Sequence, residues 1–178
     1  MGDRAAMEIP PDDLCWIRTD RLTLKPLGRL DAPGLYRVLA DPELYQFTGG
    51  EPPVSESALV DILQRREARR SPAGDEIWLN WVAHETALAS AIGYVQATIS
   101  STSSRVAWVI GSQWQRRGYA SEMARALVEW LEERGAPDIR AWIRPDHAAS
   151  RKVAARAGLQ ATGEQHDGEQ LWCRRHIG

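Results

Sequence analysis

The residues best suited to chemistry in this chain form one short stretch, Gln115-Arg116-Arg117-Gly118-Tyr119-Ala120. Arginine presents a planar fork of donors that matches phosphate oxygens. Gly118 lets the backbone approach a ligand closely and permits a positive φ if the turn needs one. A helix beginning at Ala120 would leave its first N–H groups without intrahelical partners and place partial positive charge there. Together these features read as a cradle for a phosphate-bearing anion. The chain has no GxxxxGK[ST], which excludes a nucleotide-triphosphate P-loop. It has no GxGxxG after the preceding strand, which argues against a Rossmann dinucleotide site.

Two elements must hold such a cradle. Arg105 to Ile110 is β-branched and aromatic and predicts a strand. Ala120 to Arg134 predicts an amphipathic helix, with Ala120, Ala124, Leu127, Val128 and Leu131 on one face and Arg125, Glu129, Glu132 and Glu133 on the other. Gly135 and Pro137 stop it.

The remaining elements follow from pattern and punctuation. Residues 1–15 are polar and contain Pro10-Pro11, and read as a loose tail; 16–178 reads as a single domain. Arg21 to Lys25 alternates as a half-buried strand within Cys15 to Leu27. Asp31 can cap a helix over 32–40, and Asp41-Pro42 ends it. Thr48 to Pro53 is a loop rich in breakers. Ser55 or Ser57 opens a second helix with Ala58, Leu59, Ile62 and Leu63 as its apolar stripe. Ile77 to Ala83 and Ser90 to Ser100 predict a strand pair before the central strand. Beyond the helix come a strand at 138–143, a short helix at 148–157 closed by Gly158, and a hairpin turning at Asp167-Gly168. The order β-α-α-β-β-β-α-β-α-β-β implies a mixed sheet flanked by helices, an α/β or α+β fold.

Composition excludes several classes. With 178 residues, 43% hydrophobic and 26% charged, the chain is an ordinary globular protein. A net charge of −2 gives no general attraction to nucleic acid or anionic lipid. Cys15 and Cys173 form neither a disulfide framework nor a metal-ligand spacing, so no metal is expected and reduced thiols in a cytoplasmic protein are. The N-terminal residues lack an apolar signal core, and no apolar run suits a membrane span. Eight Trp against one Phe is an unusual aromatic balance. Trp78, Trp81 and Trp108 can wall a substrate cleft or fill the core.

In this setting Q-x-x-G-x-A resembles the pyrophosphate loop of the GNAT acyltransferases, usually written [QR]-x-x-G-x-[GA]. Thr19-Asp20-Arg21-Leu22-Thr23-Leu24-Lys25-Pro26-Leu27 is similar to the opening strand of that superfamily's RimJ/RimL-type branch. Thr48 to Pro53 resembles its first substrate-side loop, and Pro145 to Ser150 its P-x-N-x-x-S segment, followed by Ala157-Gly158-Leu159. The resemblance spans about residues 16–175. It implies a mostly antiparallel mixed sheet with a splayed pair of central strands, and transfer of an acetyl group from acetyl-CoA to a primary amine, either a protein N-terminus or a small molecule. A homodimer is compatible with it.

The resemblance also assigns residues. Val109 and Ile110 would offer backbone groups to pantetheine. Gln115, Arg116, Arg117, Gly118, Tyr119, Ala120 and Ser121 would surround the pyrophosphate. His147 stands where the family has Asn, beside the cofactor, and Arg105 stands where many relatives carry a Glu. Ser150 would lie near the sulfur as proton donor or orienter, and equally suits a helix cap. An amine must attack as a neutral nucleophile while a backbone N–H near Ile110 stabilises negative charge on oxygen. Glu169 is the first choice for the base, with Glu76, His84 and Glu122 as others. Two other classes stay open: a non-catalytic acyl-CoA-binding regulator, and an RNA- or ribosome-binding module using the basic run Arg65 to Arg70.

Overall fold

The computed structural model describes residues 14–47 and 49–174. Most of the expected tail, residues 1–13, and Thr48 of the substrate-side loop lie outside the described residues.

The first expected strand is two. β1 (Ile17–Arg18) and β2 (Leu22–Pro26) form an antiparallel hairpin. The Thr19 N–H and hydroxyl both bond to the Leu22 carbonyl and close the turn. α1 (Ala32–Leu39) follows, with Asp31 at its cap position. The Asp31 carboxylate makes no cap bond. It accepts instead from Lys25 Nζ at 2.7 Å and from the Gly28 N–H at 2.9 Å. α2 (Glu56–Glu67) is capped by Ser55, whose hydroxyl accepts from the Ala58 N–H. The helix ends before the basic run does. Arg70 pairs with Ile77 as an isolated bridge, so Arg65 to Arg70 does not form one continuous basic face.

β3 (Ile77–Glu85), β4 (Ser90–Ile99) and β5 (Ser104–Ile110) form a meander. α3 (Tyr119–Glu133) crosses over to β6 (Ile139–Ile143). α4 (Ala148–Arg156) then leads to the hairpin of β7 (Leu159–His166) and β8 (Glu169–Arg174). Asp167 and Gly168 both have positive φ, at 49° and 79°, as a two-residue hairpin turn requires. Among the described residues, eight strands run β1-β2-β3-β4-β5-β6-β8-β7, and only β5 and β6 are parallel.

Helices cover both faces. Trp81, Val95, Met123, Leu127 and Leu131 belong to the core beneath α3 and α4, while Leu35, Val38, Leu59, Leu63 and Val82 form the core beneath α1 and α2. The middle of β3 is therefore buried on both sides. Among the described residues, no helix is long and apolar enough to cross a membrane.

The feature that matters for the site is a break in the sheet. β5 and β6 pair only at Ser104↔Ile139 and Arg105↔Arg140. Beyond Arg105 they part. On its other side β5 stays paired with β4 to Ile110, and at Gly93 the two approach so closely that a Cβ would lie 2.0 Å from the Val109 carbonyl oxygen. The Gly111 N–H bonds to the Ile92 carbonyl. Antiparallel alternation therefore turns the peptide groups of Val109 toward β4, and those of Trp108 and Ile110 toward the gap.

Candidate active site

The turn between β5 and α3 takes its shape from two left-handed residues. Arg116 has φ 59° and Gly118, the N-cap of α3, has φ 86°. The first helical bond runs from the Glu122 N–H to the Gly118 carbonyl, and the cap has no side chain to satisfy the earlier amides. The N–H groups of Tyr119, Ala120 and Ser121 thus sit at the positive end of a 15-residue helix. Gln115 Nε2 donates to the Ile110 carbonyl at 3.4 Å and ties the turn to the end of β5.

A second set of bonds holds this turn from below. Arg21 donates from Nη1 to the Arg117 carbonyl at 3.0 Å, lies 4.4 Å from the Tyr119 ring centroid, and pairs with Glu122. Glu122 Oε1 also accepts from the Thr19 hydroxyl at 2.6 Å and from the Arg21 N–H at 2.9 Å. Burial would raise the Glu122 carboxyl, but these hydrogen bonds and the Arg21 charge outweigh it and hold it below the usual range. Glu122 is therefore a structural tie and does not line the site. Two positions of the motif beginning at Thr19 thus act on this turn from the distant β1–β2 hairpin turn.

A groove of about 680 Å³ runs from this turn along β5 to the start of α4. Every cofactor residue expected from the sequence lines it except Arg117, but of the two backbone positions expected to meet pantetheine only Ile110 faces the gap, since the Val109 peptide groups turn toward β4. The Arg117 guanidinium instead lies over Trp114 and Tyr119, 5.1 and 5.2 Å from their ring centroids. The facing wall adds Lys152 and Arg156 of α4, which the sequence reading did not select. Their spacing on a short polar helix gives no signal until that helix is placed opposite the turn. Unpaired amides, Gly118, Arg116 and these two cations suit a diphosphate. The open peptide edge of Trp108 and Ile110 suits an amide-bearing arm. The residues present thus fit acetyl-CoA.

A smaller cavity of about 190 Å³ lies in the gap between β5 and β6. Phe47, Trp108, His147 and Ser150 line both spaces. The Phe47 and His147 rings stack at 4.3 Å with 6° between planes. His147 precedes α4 without a side-chain cap bond, and its Nε2 lies 3.5 Å from Ser150 Oγ. Burial is the main cause that holds its pKa below the usual value of 6.5; Asp146 opposes that shift and Arg144 adds to it. Glu169, at the start of β8, lines the smaller cavity with Ser150.

The other candidates lie elsewhere. Glu76 accepts from Trp78 Nε1 at 2.9 Å, and His84 Nδ1 contacts the Ala89 carbonyl at 3.3 Å; neither lines these cavities. Trp81 is fully buried against Trp130, so of the three Trp considered only Trp108 reaches the site. Arg105 is exposed and lines neither space. Phe47 and Trp142 were not foreseen. Phe47 is the sole Phe of the chain, but an isolated ring in a loop gives no periodicity to read.

Comparison with known proteins agrees with this geometry. The family model described as "Acetyltransferase (GNAT) domain" matches residues 21–160. A GNAT-family acetyltransferase from Bacillus anthracis superposes with a TM-score of 0.71 at 15% identity, covering 89% of this chain and 96% of that one. RimL, a ribosomal L7/L12 α-N-protein acetyltransferase solved with coenzyme A, gives 0.75 at 18% identity, with coverages of 90% and 97%. AAC(6')-Ib, solved with ribostamycin and coenzyme A, gives 0.69 at 18% identity, with coverages of 86% and 92%. At these identities the structural likenesses speak for the fold.

Proposed function

The chain belongs to the GNAT acetyltransferase family and is an N-acetyltransferase with acetyl-CoA as cosubstrate, and from that premise we propose that it acetylates a primary amine by direct attack in a ternary complex. The observation that carries this reading is the shared wall of Phe47, Trp108, His147 and Ser150 between the basic groove and the cavity containing Glu169. A carrier held in the groove and an amine in the cavity would meet there, with no residue needed to carry the acetyl group between them. The resemblance of Thr19 to Leu27 to the RimJ/RimL-type opening strand, together with the likeness to RimL, supports an α-amine as acceptor.

When bound, acetyl-CoA supplies an activated acyl group as a thioester. The amides at the start of α3, with Arg116, Lys152 and Arg156, hold its diphosphate. The Ile110 N–H, turned into the gap, donates to oxygen where negative charge develops. Glu169 takes the proton that leaves the incoming ammonium, directly or through water. Ser150 gives a proton toward sulfur, with His147 neutral beside it. Of the two protons the ammonium loses overall, one ends on the thiol and one in solvent.

The test is thiol release from acetyl-CoA with a panel of amines, alongside calorimetric binding of acetyl-CoA. Ser150→Ala and Glu169→Gln should each lower kcat by about 10²-fold or more with acetyl-CoA affinity kept. Binding without thiol release above hydrolysis, for any amine, would overturn the proposal.

A further inference from the structure

The smaller cavity carries more information than acetyl transfer alone requires. Phe47, Trp108 and Trp142 all line it, and Glu169 is the one carboxylate among its lining residues. Its volume of about 190 Å³ exceeds the roughly 150 Å³ that is enough to take up benzene. One ring on a short arm would fill it.

Charge narrows the choice further. The other ionisable residues lining the cavity are Arg144 and His147. Arg144 is forked onto Asp146, with Nε at 3.1 Å from Oδ1 and Nη2 at 2.9 Å from Oδ2. A single ammonium would meet Glu169 and the faces of aromatic rings. A second ammonium would find no second carboxylate there and would lie near the Arg144 guanidinium.

We infer that the acceptor is a primary amine with one positive charge, carried on an aromatic or similarly bulky apolar group, that enters this cavity with its nitrogen toward Ser150. This deepens the acetyl-transfer reading above and rests on it. The chemistry is shared by free arylalkylamines and by peptides whose first residue is aromatic.

The experiment uses the full chain, acetyl-CoA and four acceptors: phenethylamine, the peptide Phe-Ala-Ala, ethanolamine and spermidine. At least one aromatic acceptor should exceed both ethanolamine and spermidine in kcat/KM by about tenfold or more. A lead for phenethylamine identifies a free amine, and a lead for the peptide identifies a chain N-terminus. Trp142→Ala should cut the aromatic advantage to about threefold or less, Trp142→Phe should keep most of it, and acetyl-CoA affinity should hold in both. If Trp142→Ala does not fold, the acceptor ranking of the unaltered chain decides. Spermidine or ethanolamine equal to the aromatic acceptors would overturn this inference and leave acetyl transfer standing. Bound acetyl-CoA with no turnover of any amine would overturn both.

Discussion

Arg21 and Glu122 lie 101 positions apart, yet Arg21 Nε and Nη2 reach Glu122 Oε2 at 2.7 and 2.6 Å. The pair fastens the β1–β2 hairpin to the first turn of α3. Through Nη1, the same guanidinium holds the Arg117 carbonyl inside the anion cradle. Arg21 is thus a positioning residue. It lines neither cavity.

Arg21→Ala should therefore weaken acetyl-CoA binding without changing the acceptor ranking. Losing one charge-assisted hydrogen bond at a partly exposed site corresponds to about 1–2 kcal/mol, or roughly a 5- to 30-fold rise in Kd. Calorimetry reads this directly. An unchanged Kd would show that the turn keeps its shape without the guanidinium.

Glu122 predicts an acid limb in stability. Its carboxyl is held below its usual value of 4.5 in the folded chain, so the unfolded chain binds the proton first. The contribution is fully present above about pH 4.5 and is lost as pH falls below it, through the lower folded value. Glu122→Gln should be less stable at neutral pH and lose less on acidification. Thermal melts across this range would show the two curves converging.

Gly118 combines φ 86° with a Cβ direction that meets Arg21 Nη2 at 3.3 Å. Gly118→Ala should cost about 1–2 kcal/mol from the left-handed conformation alone. Gly118→Trp should in addition block acetyl-CoA binding while the sheet persists by circular dichroism. Full affinity in the Trp variant would remove the cradle from consideration.

Gly93 tests how closely β5 must sit against β4. Gly93→Ala would place a methyl 2.0 Å from the Val109 carbonyl, so β5 must shift or part from β4. Denaturant melts should show a loss of about 1–3 kcal/mol or more, together with reduced acetyl-CoA affinity. A native-like melt would mean that β5 can move at little cost.

His147 gives a second pH signature, at higher pH. Burial lowers its pKa in the folded chain from 6.5, so the unfolded chain again binds the proton first. Stability should fall as pH drops below about 6.5 and level off below the folded value. His147→Asn should flatten this limb while leaving that of Glu122. Melts from about pH 7.5 to pH 5 separate the two groups.

Much of the fold was readable because it depends on local pattern. The apolar stripe of α3, the Ser55 cap, the Gly158 stop and the Asp167-Gly168 turn each follow from side-chain chemistry within a few residues. The β1–β2 division leaves no mark in the sequence because the Thr19 turn has no glycine or proline. Asp31 looks like a cap in the sequence because nothing there shows that Lys25 and the Gly28 amide compete for its carboxylate.

The turn that we propose as an anion cradle is legible along the chain. A strand, a polar turn with Gly118 and an amphipathic helix are contiguous, so their geometry is local and their free amides follow from helix chemistry. What surrounds that turn is set by long-range packing. Arg21 reaches it from the β1–β2 turn, Lys152 and Arg156 face it from α4, and Phe47 meets His147 across 100 residues of chain. Such contacts depend on how β5 leaves β6. β5 stops pairing with β6 after Arg105 while it stays against β4 as far as Ile110, a relation that no window along the chain contains.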